Sequence, residues 1–129
     1  KWQEEGTKTF LGLHSKGFPN LFLISGPQGG GGSFNFTNAI EEHGDYVGWL
    51  LETMRDQGNG VVDVEAEHED TYAKHCRDAD QLTRPLRDCI TYYNGHGEAE
   101  PGSLAYYGGG TWHKYRTRAQ ETLEPYIFD

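Results

Sequence analysis

A run of four glycines, Gly29 to Gly32, separates an apolar segment, Leu21–Ile24, from a predicted helix start at Asn35–Glu41. A helix start carries unpaired backbone N–H groups and the positive end of the helix dipole, and glycines let a ligand approach the backbone closely. The arrangement therefore predicts a site for an anionic or electron-rich ligand. A flexible connecting loop that binds no ligand would have the same sequence features. Because neither a G-x-G-x-x-G fingerprint nor a P-loop follows the apolar segment, these residues do not identify the ligand.

The histidines and serines do not form a pattern that predicts metal binding or hydrolysis. The six histidines include no H-E-x-x-H spacing. His68, His75 and Cys76 fall on one predicted helix, but adjacent helical residues point in different directions. The serines lack the G-x-S-x-G context of a nucleophile elbow. We therefore predict no metal site, and we interpret the acidic run Asp63–Asp70 as a solvated helix start.

Two short segments are candidate strands that would position the glycine loop. Leu21–Ile24 is apolar without alternation, which is typical of a strand buried on both faces in a parallel sheet. Gly26 and Pro27 end it. Thr9–Leu13 is a second, shorter candidate. The predicted fold class is α/β, with one buried parallel strand, three helices and long loops.

The first helix is predicted over residues 38–57, with Asn38 as its N-cap and an end near Gln57 and Gly58. Gly44 and Gly48 lie one turn apart and would let another backbone approach. The apolar stripe of this helix consists of Ile40, Val47, Leu50, Leu51 and Met54.

The second half of the chain is predicted to begin with a short apolar segment, Val61–Val64, and a polar helix over residues 65–80. That helix has a weak apolar face and is expected on the surface. Residues 81–103 have no period, which is typical of a functional or disordered loop. Leu104–Tyr107 is a strand candidate. A last helix, capped by Thr111 and stopped before Pro125, is marked by Trp112, Tyr115, Ala119 and Leu123.

The composition excludes several classes of protein. A formal charge of −9 and a pI near 5.0 argue against a nucleic-acid or anionic-membrane surface. No apolar run approaches the ~20 residues of a membrane span. Two cysteines make no disulfide framework, so a reduced, cytoplasmic setting is expected. Leu, Ile, Val and Phe make up only 24 of 129 residues, but the Trp, Tyr and Phe content argues for a folded chain.

Five segments, read together, resemble the Baeyer–Villiger monooxygenases, flavoproteins with two dinucleotide-binding (Rossmann-like) domains. The segments are Trp2–Leu13 (W-x-x-E-G-x-K-T-F-L-G-L), Gly17–Phe22, Ser25–Gln28, Asn35–Glu41 and Tyr106–Gly109. Their order and spacing make the resemblance specific, since Gly-Phe-Pro-Asn alone also occurs in related flavin monooxygenases. The resemblance runs along the whole chain but corresponds only to the C-terminal portion of such an enzyme.

The resemblance implies sites for FAD, NADP and substrate. The residues matching the segment that faces the flavin ring are Gly26, Pro27, Asn35, Phe36 and Thr37. Those matching the substrate-pocket loop are Gly32, Ser33 and Phe34. Tyr92 and Asn94 lie in Thr91–Gly95, which resembles the control loop over NADP, although the family usually has Trp at the position of Tyr92.

The resemblance also implies a reaction, in which NADPH and O2 are consumed and oxygen is inserted next to a ketone carbonyl to give an ester or lactone. The family's two dinucleotide fingerprints, its F-x-G-x-x-x-H motif and its catalytic Arg have no counterpart here. No catalytic residue is therefore assigned, and the isolated chain is expected to be inactive. Its expected partners are the missing N-terminal segment of the enzyme, a small ketone and O2, with no nucleic acid and no membrane.

Within the FAD-binding domain, residues 1–60 are expected to supply the last strands and the flavin-facing helix, and residues 61–129 the C-terminal helices and control loop. Three alternatives stay open. The first is an N-hydroxylating or dimethylaniline-type flavin monooxygenase. The second is a stand-alone, non-catalytic binding module that uses the glycine loop. The third is a dimerisation element built on Gly44 and Gly48. The low aliphatic content predicts that the chain depends on another segment for much of its core.

Overall fold

The computed structural model describes residues 2–29, 35–79, 88–91 and 111–129. Within these ranges the elements, in chain order, are α1 (Trp2–Glu5), α2 (Phe36–Gln57), β1 (Val62–Val64), α3 (Ala66–Ala79), α4 (Thr111–Thr122) and β2 (Tyr126–Phe128). The strand candidate Leu104–Tyr107 lies outside the described residues. The α/β class is confirmed, and three of the four helices are those that the sequence predicts.

Helix α2 begins three residues earlier than the helix expected to start after Asn38. Its N-cap is Asn35, which has extended backbone angles and whose side chain accepts a hydrogen bond from the Thr37 backbone N–H at 2.9 Å. Asn38 was the wrong choice because the backbone is already helical there and Asn35 satisfies an amide of the first turn. The predicted end is confirmed: Gly58 adopts a left-handed conformation and its N–H bonds back to the helix.

The buried face of α2 differs in part from the predicted apolar stripe. Leu50 and Met54 are buried as expected, whereas Ile40 and Leu51 are exposed. The buried residues of α2 are His43, Tyr46, Leu50 and Met54, at steps of three, four and four residues. The first two of these positions hold His43 and Tyr46, whose rings can be buried because the polar atoms of each have a buried hydrogen-bond partner, as described below.

The two strands form one antiparallel pair, in which Val62 lies opposite Phe128 and Val64 opposite Tyr126. The first strand falls within the short apolar segment Val61–Val64, which the sequence analysis does not assign as a strand, and the second strand is not predicted either. Helix α3 follows β1 and lies at the surface as expected, with one side packed against the core; of its small apolar residues, Ala66 is exposed and Ala79 is half-buried. Its buried side chains are Glu69, Tyr72, Ala73 and Cys76.

The two strand candidates in the first 25 residues are wrong. Thr9–Leu13 enters a tight turn, in which Leu11 and Gly12 have positive φ and the Phe10 and His14 backbones bond to each other. The segment 21–24 forms no strand, and Leu21 and Ile24 are 42% and 47% exposed. A strand buried on both faces needs neighbouring strands, and the described part of the chain offers only the β1–β2 pair.

Candidate functional site

Two backbone turns interlock where the site is expected. Gly12, with a φ of +70°, lies so close to Gly29 that a Cβ on Gly12 would sit 2.0 Å from the Gly29 Cα. A Cβ on Gly26 would likewise sit 2.5 Å from the Gly12 carbonyl oxygen. Only glycine allows backbones this close. The turn over residues 25–29, called here the 25–29 turn, is thus seated directly on the buried turn around Gly12.

Buried polar groups fasten the 25–29 turn to the core. The Thr9 backbone N–H donates to the Gln28 Oε1 at 2.9 Å, and the Thr9 hydroxyl donates to the Pro27 carbonyl at 2.7 Å. The Gln28 Nε2 donates to the Thr7 carbonyl, and the Tyr72 hydroxyl donates to the Gln28 carbonyl at 2.7 Å. Each bond joins groups that would be costly to bury alone, so the turn has a well-defined position.

His43 joins the 25–29 turn to α2. The Ser25 backbone N–H donates to the His43 Nδ1 at 2.9 Å, and the His43 Nε2 lies 2.9 Å from the Gly29 carbonyl oxygen. An amide donor at one nitrogen and a carbonyl acceptor at the other fit the neutral ring protonated on Nε2. Burial lowers the pKa of His43, and the bond to Gly29 opposes that shift in part. The ring is therefore neutral at neutral pH.

Trp112 on α4 closes the other side of His43. Its indole ring stacks on the imidazole with centroids 5.1 Å apart, and its Nε1 donates to the Leu11 carbonyl at 2.8 Å. The guanidinium of Arg116 lies 5.5 Å from the Trp112 ring centroid and pairs with Glu42. A cavity of about 160 Å³ lies between α2 and α4, lined by Gly29, Asn38, Ala39, Glu42, His43, Trp112 and His113.

The start of α2 is open to solvent. Asn35, Phe36 and Thr37 are exposed, and the Phe36 side chain is 69% exposed. His43 lies seven residues beyond Phe36, which is roughly 10 Å along the helix axis at 1.5 Å per residue. The 25–29 turn is therefore attached to the same half of α2 that presents its unpaired amides.

The Ser25 hydroxyl is an unsatisfied polar group in that turn. Its Oγ is buried and has no hydrogen-bond partner among the described residues. Ser25 also has a positive φ of 55°, which is uncommon for a residue with a side chain. A buried hydroxyl without a partner costs free energy, so this position favours a partner from outside the described residues.

The structure places some of the implied site residues and leaves others outside its description. Gly26 and Pro27 lie in the 25–29 turn, and Asn35, Phe36 and Thr37 begin α2. The implied substrate residues Gly32, Ser33 and Phe34, and the implied NADP residues Tyr92 and Asn94, lie outside the described residues.

Sequence reasoning missed His43, Gln28 and Thr9 as organising residues. The helical period contained a signal for His43, since it lies three residues after Ile40 and four before Val47 on the predicted stripe. Gln28 and Thr9 gave no such signal because the bonds that join their two segments span 18 to 21 positions of the chain.

A second buried polar chain connects the C-terminal strand to the core. The hydroxyls of Tyr46 and Tyr126 are 2.6 Å apart, and the Tyr126 hydroxyl lies 3.3 Å from the His14 Nε2. Burial lowers the pKa of His14 to about 4, although Asp63 opposes the shift. Burial also raises the pKa values of both tyrosines. These groups are therefore uncharged at neutral pH and act as a structural network.

The described ranges show neither a metal cluster nor a membrane-spanning helix. No three His, Cys, Asp or Glu side chains there come together as a possible metal site. None of the helices described has the length and apolar content needed to cross a membrane.

Comparisons with known proteins confirm the resemblance indicated by the five sequence segments. A Baeyer–Villiger monooxygenase of Streptomyces coelicolor is 33% identical over 127 residues, covering 93% of this chain and 20% of that protein. Another, from Penicillium patulum, is 30% identical over 115 residues, covering 84% of this chain and 19% of that protein. The chain thus spans about a fifth of the length of these curated relatives. No protein-family model matches it.

The fold is shared with a solved structure of the same kind of enzyme. A cyclohexanone monooxygenase from Rhodococcus sp. Phi1, bound to NADP+, matches with a TM-score of 0.81 over 99% of this chain and 24% of that chain. The two sequences are 18% identical, so the match shows a common fold. The described α/β unit therefore has the architecture of part of that monooxygenase.

Proposed function

We propose that this chain, which resembles the Baeyer–Villiger monooxygenases in sequence and fold, is the C-terminal portion of such an enzyme and forms one wall of its flavin and ketone pocket. In the complete enzyme, NADPH and O2 convert a ketone to an ester or lactone. The observation that carries the proposal is the open start of α2, attached through His43 to the glycine-rich 25–29 turn.

The residues present fit a flavin. The exposed amides and dipole at the start of α2 favour negative charge, which a reduced flavin ring carries. Phe36 presents an apolar ring at the same place, and the buried Ser25 hydroxyl has no partner among the described residues. FAD, when bound, supplies electron transfer and oxygen activation. Gly26, Pro27, Asn35, Phe36 and Thr37 would hold and orient it.

The remaining assignments extend the same proposal. Gly32, Ser33 and Phe34 would line the ketone pocket next to the flavin-facing residues. Tyr92 and Asn94 would contact NADP, with Tyr92 in place of the family's Trp. Residues 1–60 would complete the FAD-binding domain, and residues 61–129 would add its C-terminal helices and control loop. The two dinucleotide fingerprints and the catalytic Arg would come from the rest of the enzyme, which is the proposed partner of this chain.

The flavin position can be tested by adding one negative charge at the start of α2. Asn35→Asp keeps an oxygen acceptor for the Thr37 N–H, so the helix cap survives. The added charge disfavours the reduced flavin, and we expect the midpoint potential of the bound flavin to fall. Gln57→Glu makes the same change at the exposed far end of α2, some 30 Å away at 1.5 Å per residue, and is the matched control.

The comparison of these two variants tests whether the flavin lies at the start of α2. A potential that falls in Asn35→Asp and stays at the wild-type value in Gln57→Glu supports the flavin at the start of α2. Equal potentials in both variants would mean that the flavin lies elsewhere.

The reaction is tested on the complete enzyme. NADPH consumption and product masses are measured with a panel of ketones and with a panel of amines. Ketones gaining one oxygen as esters or lactones support the proposal, whereas oxygen transfer to nitrogen favours the N-hydroxylating alternative. The 129 residues alone are expected to give neither product. Turnover by this chain alone would contradict the proposal, and ligand binding without any turnover by the complete protein would favour a binding module.

A further inference from the structure

We propose that His43 is a positioning residue, which sets the place of the 25–29 turn relative to the start of α2 and so determines how tightly the flavin is held. This rests on the proposed function, since the flavin-facing residues are divided between the turn and the helix start. His43 does not belong to the set implied by the resemblance, and it is 1% exposed.

The geometry gives His43 this role because it contacts both ends of the turn at once. It accepts from the Ser25 N–H and reaches the Gly29 carbonyl, each at 2.9 Å, so the four intervening peptide units are held between two bonds. Other bonds of the turn run to Thr7, Thr9 and Tyr72, which lie outside α2. Those bonds hold the turn on the core, and the His43 pair holds it against the helix.

The ring itself cannot shift easily. Trp112 stacks on one face, and a Cβ added at Gly29 would lie 2.9 Å from the His43 Cε1. A displacement of the ring would therefore either open the stack or press on the Gly29 backbone. Because interiors are close-packed, the position of the turn follows the position of the ring.

Protonation of His43 should loosen the turn. A proton on Nδ1 would face the Ser25 N–H, so that bond would be lost. Two titratable side chains line the cavity beside the ring, Glu42 on α2 and His113 on α4, and Arg116 on α4 reaches Glu42. Glu42 and Arg116 pair with each other, and the 25–29 turn itself contains no titratable side chain. His113 therefore provides a control histidine at the same cavity.

Four variants of the complete enzyme separate the two bonds from the ring contact. His43→Phe keeps a ring against Trp112 and removes both hydrogen bonds. His43→Asn keeps an acceptor near the Nδ1 position, and His43→Gln keeps a donor near the Nε2 position. His113→Phe removes a histidine from the same cavity without touching the turn bonds. For each, the FAD dissociation constant is measured by flavin fluorescence between pH 5 and 7.5, below the unfolding temperature of the variant.

We expect His43→Phe to weaken FAD binding at pH 7.5 about tenfold, with His43→Asn and His43→Gln between it and the wild type. The FAD dissociation constant of His113→Phe should stay within about twofold of the wild-type value, because this substitution removes neither hydrogen bond between the ring of residue 43 and the turn. Wild-type affinity should weaken toward pH 5, and His43→Phe should lose that part of the pH dependence. Equal FAD affinity and equal pH profiles in the wild type and His43→Phe would overturn the proposal.

A second measurement does not depend on the flavin. The Ser25 amide should be protected from hydrogen exchange in the apoprotein, lose protection in His43→Phe and His43→Gln, and keep it in His43→Asn. Unchanged exchange at Ser25 in His43→Phe would equally overturn the role of His43. If instead the exchange pattern appears but the wild-type enzyme binds no FAD, the proposed function fails while the link between turn and helix stands.

Discussion

The contact between Gly12 and Gly29 predicts a large loss of stability from a single methyl group. In Gly12→Ala the new Cβ would start 2.0 Å from the Gly29 Cα and 2.3 Å from its N, whereas ordinary contacts begin at 3.4 Å. Both neighbours are backbone atoms and cannot rotate away. Forcing extra volume into a packed core costs about 1–3 kcal/mol. The left-handed φ adds roughly 1 kcal/mol for alanine.

We therefore expect Gly12→Ala to lower the free energy of unfolding by about 2–4 kcal/mol, a large part of the 5–15 kcal/mol typical of a domain. Two matched substitutions separate the causes. Gly6→Ala has a similar positive φ, +78°, and open space around the new Cβ, so it should cost about 1 kcal/mol. Gly44→Ala lies in α2 with nothing within 4 Å, so it should stabilise the protein by up to about 1 kcal/mol.

The assay is urea unfolding followed by tryptophan fluorescence, with midpoints and slopes fitted for all three variants. At a slope of about 2 kcal/mol per molar urea, Gly12→Ala should lower the midpoint by roughly 1–2 M. The reasoning is refuted if Gly12→Ala is no more destabilising than Gly6→Ala, because the close backbone approach would then contribute nothing.

Two further predictions concern the buried network at the C-terminal strand. Because the folded-state pKa of His14 is lowered to about 4, the unfolded chain takes up a proton first. Stability should therefore fall by roughly 2 kcal/mol between pH 7.5 and 5 and level off below pH 4, and His14→Leu should flatten that slope in urea unfolding at each pH. Tyr126→Phe should cost about 1–3 kcal/mol because it leaves the Tyr46 hydroxyl buried without its partner. The double variant with Tyr46→Phe and Tyr126→Phe should lose less free energy of unfolding than the two single variants lose in sum. Strict additivity in this double-mutant cycle would argue against the hydrogen bond between the two hydroxyls.

The helices could be predicted from the sequence because their signals are local. Capping residues, a 3.6-residue period and the glycine at position 58 are all read within a few residues of the element they specify. Helices α2, α3 and α4 were found in this way to within a few residues. The predicted start of α2 is wrong by three residues because two asparagines, Asn35 and Asn38, are both acceptable N-caps by residue type.

The turns could not be predicted because their determinants lie far apart in the chain. Gly12 and Gly29 are separated by 17 positions, and nothing near either one indicates the other. The segment 21–24 has the composition of a buried strand, but its burial depends on neighbours and not on its own residues. Strand β2 has three residues and forms opposite β1, more than 60 positions earlier. The elements that local patterns do not predict are therefore those that form through contacts between distant parts of the chain.

The shortage of aliphatic residues is explained by what the core uses in their place. Tyr46, Tyr72, Trp112 and Tyr126 are buried, and the polar end of each has a hydrogen-bond partner. A large ring with a satisfied polar end buries as much surface as an aliphatic side chain and also fixes a turn in place.

Several apolar side chains that remain lie outside this core. Phe18, Leu21, Ile24 and Phe36 are all more than two-fifths exposed. The low aliphatic content thus reflects a core in which aromatic residues with bonded polar ends take a large share, while several apolar side chains stay exposed.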